Sequence, residues 1–252
     1  MNKTKIEWVR NPDGSQGYTW NPITGCLGPD GTPENPKRCS YCYAHKLAKG
    51  RLRKHYLSAC IYSIDSPVRI PIQDPFSPRL WLGRIGEPYH IKKPSTIFVC
   101  SMGELFSEYY PVFWLSHILR SCGSNPKHTF LILTKNLPRD KKIYFPSNVW
   151  LGATLNSFND WARGYFLRES SAKVKFISFE PLLGKVFGAS YSLPLDGINW
   201  IIIGAQTKPY KPPQREWVET IMDEADKLSI PVFLKNNLKP LMGEKLTQEF
   251  PK

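Results

Sequence analysis

Six short apolar, β-rich runs recur along the chain, and they restrict its fold more than any other feature. They are TIFVC (96–100), TFLILT (129–134), VWLGAT (149–154), VKFISF (174–179), WIIIGA (200–205) and PVFLK (231–235). Each is continuously apolar rather than alternating, as a strand is when both faces of its sheet are covered. Helical segments lie between them. PVFWLSHILRSC (111–122) follows the first run, and Asn156 or Ser157 is placed to cap FNDWARGYFLRES (158–170). In REWVETIMDEADKL (215–228), Trp217, Ile221, Ala225 and Leu228 share one stripe. Strand–helix alternation of this kind gives an α/β fold with a parallel sheet. With a further short strand at YTWNP (18–22), a parallel (β/α) barrel, or a partial TIM-like one, is favoured over a small open sheet. The 252 residues read as one such unit, with an irregular proline-rich connection around 60–95.

In a parallel barrel, function gathers at the carboxyl ends of the strands, and these can be read directly. Ser101, Met102, Gly103 and Glu104 follow the first run, and Lys135 and Asn136 follow the second. Asn156, Glu180, Gln206 and Lys235 end the others. Any one of them is equally explained by a strand that must end in something polar. Together they outline a polar mouth, with Lys135, Glu180, Gln206 and Lys235 as candidate catalytic groups. Two structural readings compete: a Lys135–Glu180 bridge, and a Glu104 that begins a helix, where an acid suits the dipole.

Three of the six cysteines precede that mouth, in TWNPITGCLGPDGTPENPKRCSYCYAHKLA: Cys26, Cys39 and Cys42, with Tyr43 directly behind. The N-terminus has no apolar stretch of signal-peptide length and no run is long enough to span a bilayer, so a cytoplasmic location is expected. Disulfides are rare there, and paired cysteines point to metal or redox chemistry. Two groups suit three thiolates. One is a [4Fe–4S] cluster with three protein ligands and an open iron. The other is zinc, completed by His45 or Cys60. Zinc knuckles are small autonomous elements, whereas this triad sits at a barrel mouth, which favours the cluster. Cys60, Cys100 and Cys122 are scattered, and each reads as a small buried hydrophobe. A metal-free hydrolase using Glu180 as base finds no supporting motif.

Lysine and arginine outnumber acids 34 to 21, for a formal charge of +13. Such an excess attracts polyanions, nucleic acid first among them. The densest basic run, from His45 to His55, is equally a solvated helix face.

CSYCYA resembles the end of the radical S-adenosylmethionine (SAM) signature, two cysteines two apart with an aromatic residue behind. IEW, TWNPITGC, SMGELF, HTFLILTK, NVWLGAT, FISFEPLLG and WIIIGA, in that order, resemble a phage-associated branch of that superfamily, itself distantly similar to spore photoproduct lyase. The resemblance implies that Cys26, Cys39 and Cys42 hold a [4Fe–4S] cluster whose open iron chelates SAM. An external electron donor would then generate a 5′-deoxyadenosyl radical. It also implies that Tyr43 lies near the adenine, and that Ser101, Met102, Gly103 and Glu104 take the place of the element that reaches the SAM amino group. The substrate implied is a nucleic acid or nucleotide, for repair or modification. The usual signature has three residues between its first two cysteines, and this chain has twelve; the insert LGPDGTPENPKR reads as a loop that folds out and returns. The alternative is a zinc-stabilised nucleic-acid-binding protein without radical chemistry.

Overall fold

Eight strands stand side by side in the order in which the chain makes them. A computed structural model describes residues 1–58, 61–63, 66–70, 73–137, 143–187, 193 and 195–251. The sheet comprises β1 (Asn2–Lys3), β2 (Tyr18–Trp20), β3 (Thr96–Val99), β4 (Thr129–Thr134), β5 (Val149–Thr154), β6 (Val174–Phe179), β7 (Trp200–Ile203) and β8 (Val232–Leu234). β1 pairs antiparallel with β2, and every later pairing is parallel. The ladder runs from β1 to β8 without closing on itself.

The continuous apolar runs conceal a period of two. Ile97, Val99, Phe130, Ile132, Leu151, Ile177, Ile201 and Ile203 face one way, into the larger core beneath the helices. Phe98, Leu131, Phe176, Trp200, Ile202 and Phe233 face the other way and pack around Trp8 and Val9. The Trp8 ring lies 4.9 Å from Phe98 on β3 and 6.1 Å from Trp200 on β7. In a flat sheet those two strands would be roughly 19 Å apart. One indole reaches both, so the sheet is strongly curved around the N-terminal segment.

Helices α1 (Tyr43–Lys49) and α2 (Arg53–Ser58) follow the cysteines and are separated at Gly50. α3 (Val112–Gly123), α4 (Trp161–Glu169) and α5 (Arg215–Lys227) cover the outer face. Among the described residues, the β4–β5 and β6–β7 connections carry no helix. Two local expectations need correction. A 3₁₀ turn, Phe158–Asp160, precedes α4, and neither Asn156 nor Ser157 caps the helix with its side chain. The Asp160 carboxylate accepts the Asn156 N–H instead (2.7 Å). On α5 the buried residues are Val218, Ile221 and Ala225, while Leu228 is 49% exposed. Ile221 and Ala225 face the core as expected and Trp217 packs partly buried against it, while Val218 rather than Leu228 completes the buried face.

The proline-rich connection holds a two-stranded ladder, Ile61–Ser63 with Ser66–Ile70. It also supplies Arg79–Leu80, which pairs with Ile23–Thr24, and two 3₁₀ turns. Cys100 and Cys122 are buried as expected, and Cys60 lies outside the described residues. Among the described residues, no helix is long and apolar enough to cross a membrane.

Gly152 tests the curvature directly. A Cβ there would stand 2.4 Å from the Phe176 ring. Gly152→Val should cost about 1–3 kcal/mol, read as a lower urea midpoint at unchanged slope. Gly86→Ala, where a Cβ meets open space, should leave the midpoint in place.

Candidate active site

The alternation that builds the aromatic cluster also builds the site above it. Two residues beyond Leu133 on its face comes Lys135, and beyond Phe176 come Ser178 and then Glu180. Phe233 is followed in the same way by Lys235. These side chains open onto a cavity of about 940 Å³. Twelve residues singled out by the sequence line it: the three cysteines, Tyr43, Ser101 to Glu104, and Lys135, Glu180, Gln206 and Lys235; the strand-end residues Asn136 and Asn156 do not.

The cysteine loop is stitched to the first strand end by backbone. Gly25 N–H donates to Met102 O (2.9 Å), and Glu104 N–H donates to Gly25 O (3.1 Å). Gly25 has φ +91°, and a Cβ on it would lie 2.3 Å from Ser77 O. A Cβ on Gly103 would crowd Gly25 O and Ile23 O at 3.0 Å. Glycine at both positions permits this close approach, and it sets Cys26 beside the 101–104 loop. The twelve-residue insert then returns. Arg38 Nε donates to Cys26 O (2.9 Å), and its guanidinium pairs with Asp74 (2.5 Å).

Each of the three sulfurs has a donor of its own. Gly28 N–H lies 3.2 Å from Cys26 Sγ, and His45 N–H lies 3.4 Å from Cys42 Sγ, where Cys42 caps α1. Lys135 Nζ is 3.6 Å from Cys39 Sγ. Burial, then the nearby Glu104 charge, pushes the Cys26 thiol up to about 12; Cys42 and Cys39 add to the effect. Burial also raises Cys42, opposed by the His45 and Ala44 N–H groups. The three thiols are therefore near enough to sense one another. Among the described residues, no three His, Cys, Asp or Glu side chains are gathered tightly enough to hold a single metal ion. His45, expected as a fourth zinc ligand, is not among the residues lining the cavity, and its ring packs on Phe76 at 5.3 Å. The other candidate, Cys60, lies outside the described residues.

The strand-end residues sort into braces and free functional groups. Glu104 does not begin a helix; it is a buried brace. Its Oε1 accepts from Leu105 N–H (2.8 Å), Phe106 N–H (3.0 Å) and the Thr134 hydroxyl (2.6 Å). Burial raises its pKa, and those donors pull the other way. Ser101 Oγ and Met102 N–H both donate to Asn21 Oδ1 (3.1 and 2.9 Å). The Tyr43 hydroxyl donates to Ser101 O while half of the residue stays exposed. The expected Lys135–Glu180 bridge is not formed. Glu180 pairs with Lys235, and Lys135 turns to Tyr41, donating to its hydroxyl (2.6 Å). Gln206 opens a small hairpin, Gln206–Thr207 with Tyr210–Lys211, and its Nε2 donates to Pro209 O (3.0 Å).

Three contributors were missed from sequence. Tyr41 stands between the paired cysteines and donates to Asn156 Oδ1 (2.9 Å), while Asn156 Nδ2 donates to Pro181 O (2.6 Å). Tyr41's place in the C-x-x-C pair was the available signal. Asn21 and the N-terminal segment Thr4–Trp8 also line the cavity; TWNPITGC and IEW, which hold Asn21 and Trp8, marked the resemblance but not these roles.

A profile for the family described as Protein of unknown function (DUF5131) matches residues 3–244, so the likeness takes in every strand of the sheet except the first residue of β1. No curated protein and no solved structure matches the chain.

The raised thiol makes a chemical prediction for the metal-free, reduced protein. A thiol pKa above its unfolded value favours the protonated form, and the thiolate is the nucleophile. Between pH 8 and 10, iodoacetamide should therefore label Cys26 far more slowly in the folded chain than in urea, as peptide mapping would show. The native state also keeps a proton that the unfolded chain releases above about pH 9. Stability from this group is complete below pH 9 and falls as pH rises toward 12. Equal labelling rates in the two states would refute the assignment.

Proposed function

We propose that this chain, which belongs to the family described as Protein of unknown function (DUF5131), is a radical SAM-type iron–sulfur enzyme on a partial (β/α) barrel. Support for the barrel comes from the strand order, which never reverses, and from the curvature around Trp8. An open doubly wound sheet reverses its order at a switch point; a winding barrel does not.

The observation that carries the proposal is the placement of three thiols, each with its own N–H donor, at the same cavity as the Ser101–Glu104 loop. Three thiolates with hydrogen-bond donors at their sulfurs are a donor set that a cluster with one open iron takes. Cys26, Cys39 and Cys42 would hold three irons, and hydrogen bonds to their sulfurs would tune the potential. Tyr43 and the 101–104 loop would flank SAM. Held there and reduced by an external donor, cluster and SAM would supply hydrogen-abstraction chemistry.

The chain's own residues orient and enclose. Glu104 fixes the loop that would meet SAM. Lys135 and the Glu180–Lys235 pair place charge at the mouth, where they would bind and position a substrate and hold its protons. The aromatic floor below keeps the interior dry.

Anaerobic purification, reconstitution with iron and sulfide, and EPR of the reduced protein with and without SAM test the reading. A cluster signal that shifts on adding SAM, and is lost in Cys26→Ala, Cys39→Ala and Cys42→Ala, is expected. Stoichiometric zinc in the protein as isolated, with no cluster formed, would overturn it in favour of a structural metal site.

A further inference from the structure

We infer that the exposed basic face of α1 and α2 is a track for the phosphodiester backbone of single-stranded nucleic acid, and that the cavity receives one of its bases. The inference rests on the cavity being a reaction site and names the substrate class for it.

The charge is local and uncompensated. No Asp or Glu occurs from Asn35 to Ile64. Lys46, Lys49, Arg51, Arg53 and Lys54 are all exposed on these two helices and the turn between them. Among the described residues, none of the five forms an ion pair. Solvated basic faces are common on helices, so position has to discriminate. Here Arg51, Leu52, His55 and Tyr56 line the cavity itself, so the face runs into its mouth. A polyanion held there by counterion release lies across the opening.

Aromatic groups at the same rim point to bases rather than to an acidic peptide. The exposed His55 ring lies parallel to Trp81, centroids 5.4 Å apart, and the Arg84 guanidinium sits 4.2 Å from the Trp81 ring centre. Such platforms stack bases regardless of sequence.

The interior adds an independent observation. Ser178 Oγ and Trp8 Nε1 are buried, lack any hydrogen-bond partner, and belong to residues that line the cavity. Exposure is 0% for Ser178 and 3% for Trp8. Leaving two buried donors unmatched is costly, and a flat heterocycle carries ring and exocyclic acceptors of the kind they lack. A duplex is too wide to enter, so the base must come from a single strand or be turned out of a stack.

The test is fluorescence anisotropy on the full chain before any cluster is loaded. The probes are labelled oligo(dT), oligo(rU), a fully abasic strand of the same length, and duplex DNA. The single strands should bind more tightly than the duplex and the abasic strand. In Lys49→Glu/Arg53→Glu/Lys54→Glu, whose residues do not line the cavity, affinity should fall about tenfold or more and the salt slope should shrink by about 2. Ser178→Ala should narrow the gap between oligo(dT) and the abasic strand. The charge-matched control Lys92→Glu/Lys93→Glu/Lys173→Glu should bind like the parent. Equal losses in both triple variants, equal binding of polyglutamate, or duplex binding as tight as single-strand binding would each overturn the track. A Ser178→Ala variant that leaves the gap unchanged would overturn base entry. The dT and rU arms separate DNA from RNA. A failed cluster does not touch this readout, and a protein that loads its cluster but binds no strand sinks only this inference.

Discussion

The site depends on one buried carboxylate. Glu104 has left water almost completely, and such a group is tolerated only when its lone pairs are filled. Two consecutive backbone N–H groups and the Thr134 hydroxyl fill Oε1, and the Lys135 N–H approaches Oε2 at 3.4 Å. The loop after β3 is thereby tied to the end of β4. The same residue's N–H holds Gly25, next to Cys26. Removing the carboxylate would strand several donors at once, which costs more than the net worth of any single bond. Cysteine loop, first strand end and second strand end therefore move together or not at all.

Around this joint the interior is layered. The floor is aromatic: Trp8, Phe98, Phe176, Trp200 and Phe233. The next layer is small and uncharged, with Gly152, Thr154, Ser178 and Gly204 on the same face, and the rim carries Lys135, Glu180 and Lys235. The order follows from packing. Where the curved sheet brings large rings together, the next layer must be small, as the contact between Gly152 and Phe176 demands. Small residues leave a void, and charges can line it only where it opens to solvent. The cavity is thus a consequence of filling the floor with rings.

Much of this was legible in the chain because its signals are local. Four of the six runs match their strands with no more than an end residue's difference, and the other two begin or end within two residues of theirs. A buried parallel strand needs nothing but continuous apolar sequence. The strand ends could be read for the same reason, and most of them reached the cavity, Asn136 and Asn156 being the exceptions. What could not be read depends on distant geometry. Whether Glu180 pairs with Lys135 or Lys235 is set by sheet curvature, since β8 is drawn close to β6 across β7 while Lys135 is drawn toward Tyr41. Trp8 and Asn21 lie in IEW and TWNPITGC, which carried the resemblance, but their roles could not be read because their partners are distant in sequence: Phe98 for Trp8, Ser101 and Met102 for Asn21. The Gln206 hairpin hid in a Gly- and Pro-rich stretch that reads as a plain loop.

Lys135 shows why the cysteine spacing need not match a shorter signature. Its ammonium donates to Tyr41 and Cys39 Sγ and lies 4.6 Å from the Tyr41 ring centre. Tyr41 in turn donates to Asn156, which holds Pro181 beside Glu180. The second cysteine is therefore positioned by the ends of β4, β5 and β6, not by its distance along the chain from Cys26. A loop that must deliver a ligand by its own stiffness needs a fixed length. A loop whose end is docked on three strands can be longer, because closure entropy grows only slowly with length. The twelve-residue insert is then free to bulge outward, closed at its base by Arg38 on Cys26 O, while the sulfurs keep their places on the sheet.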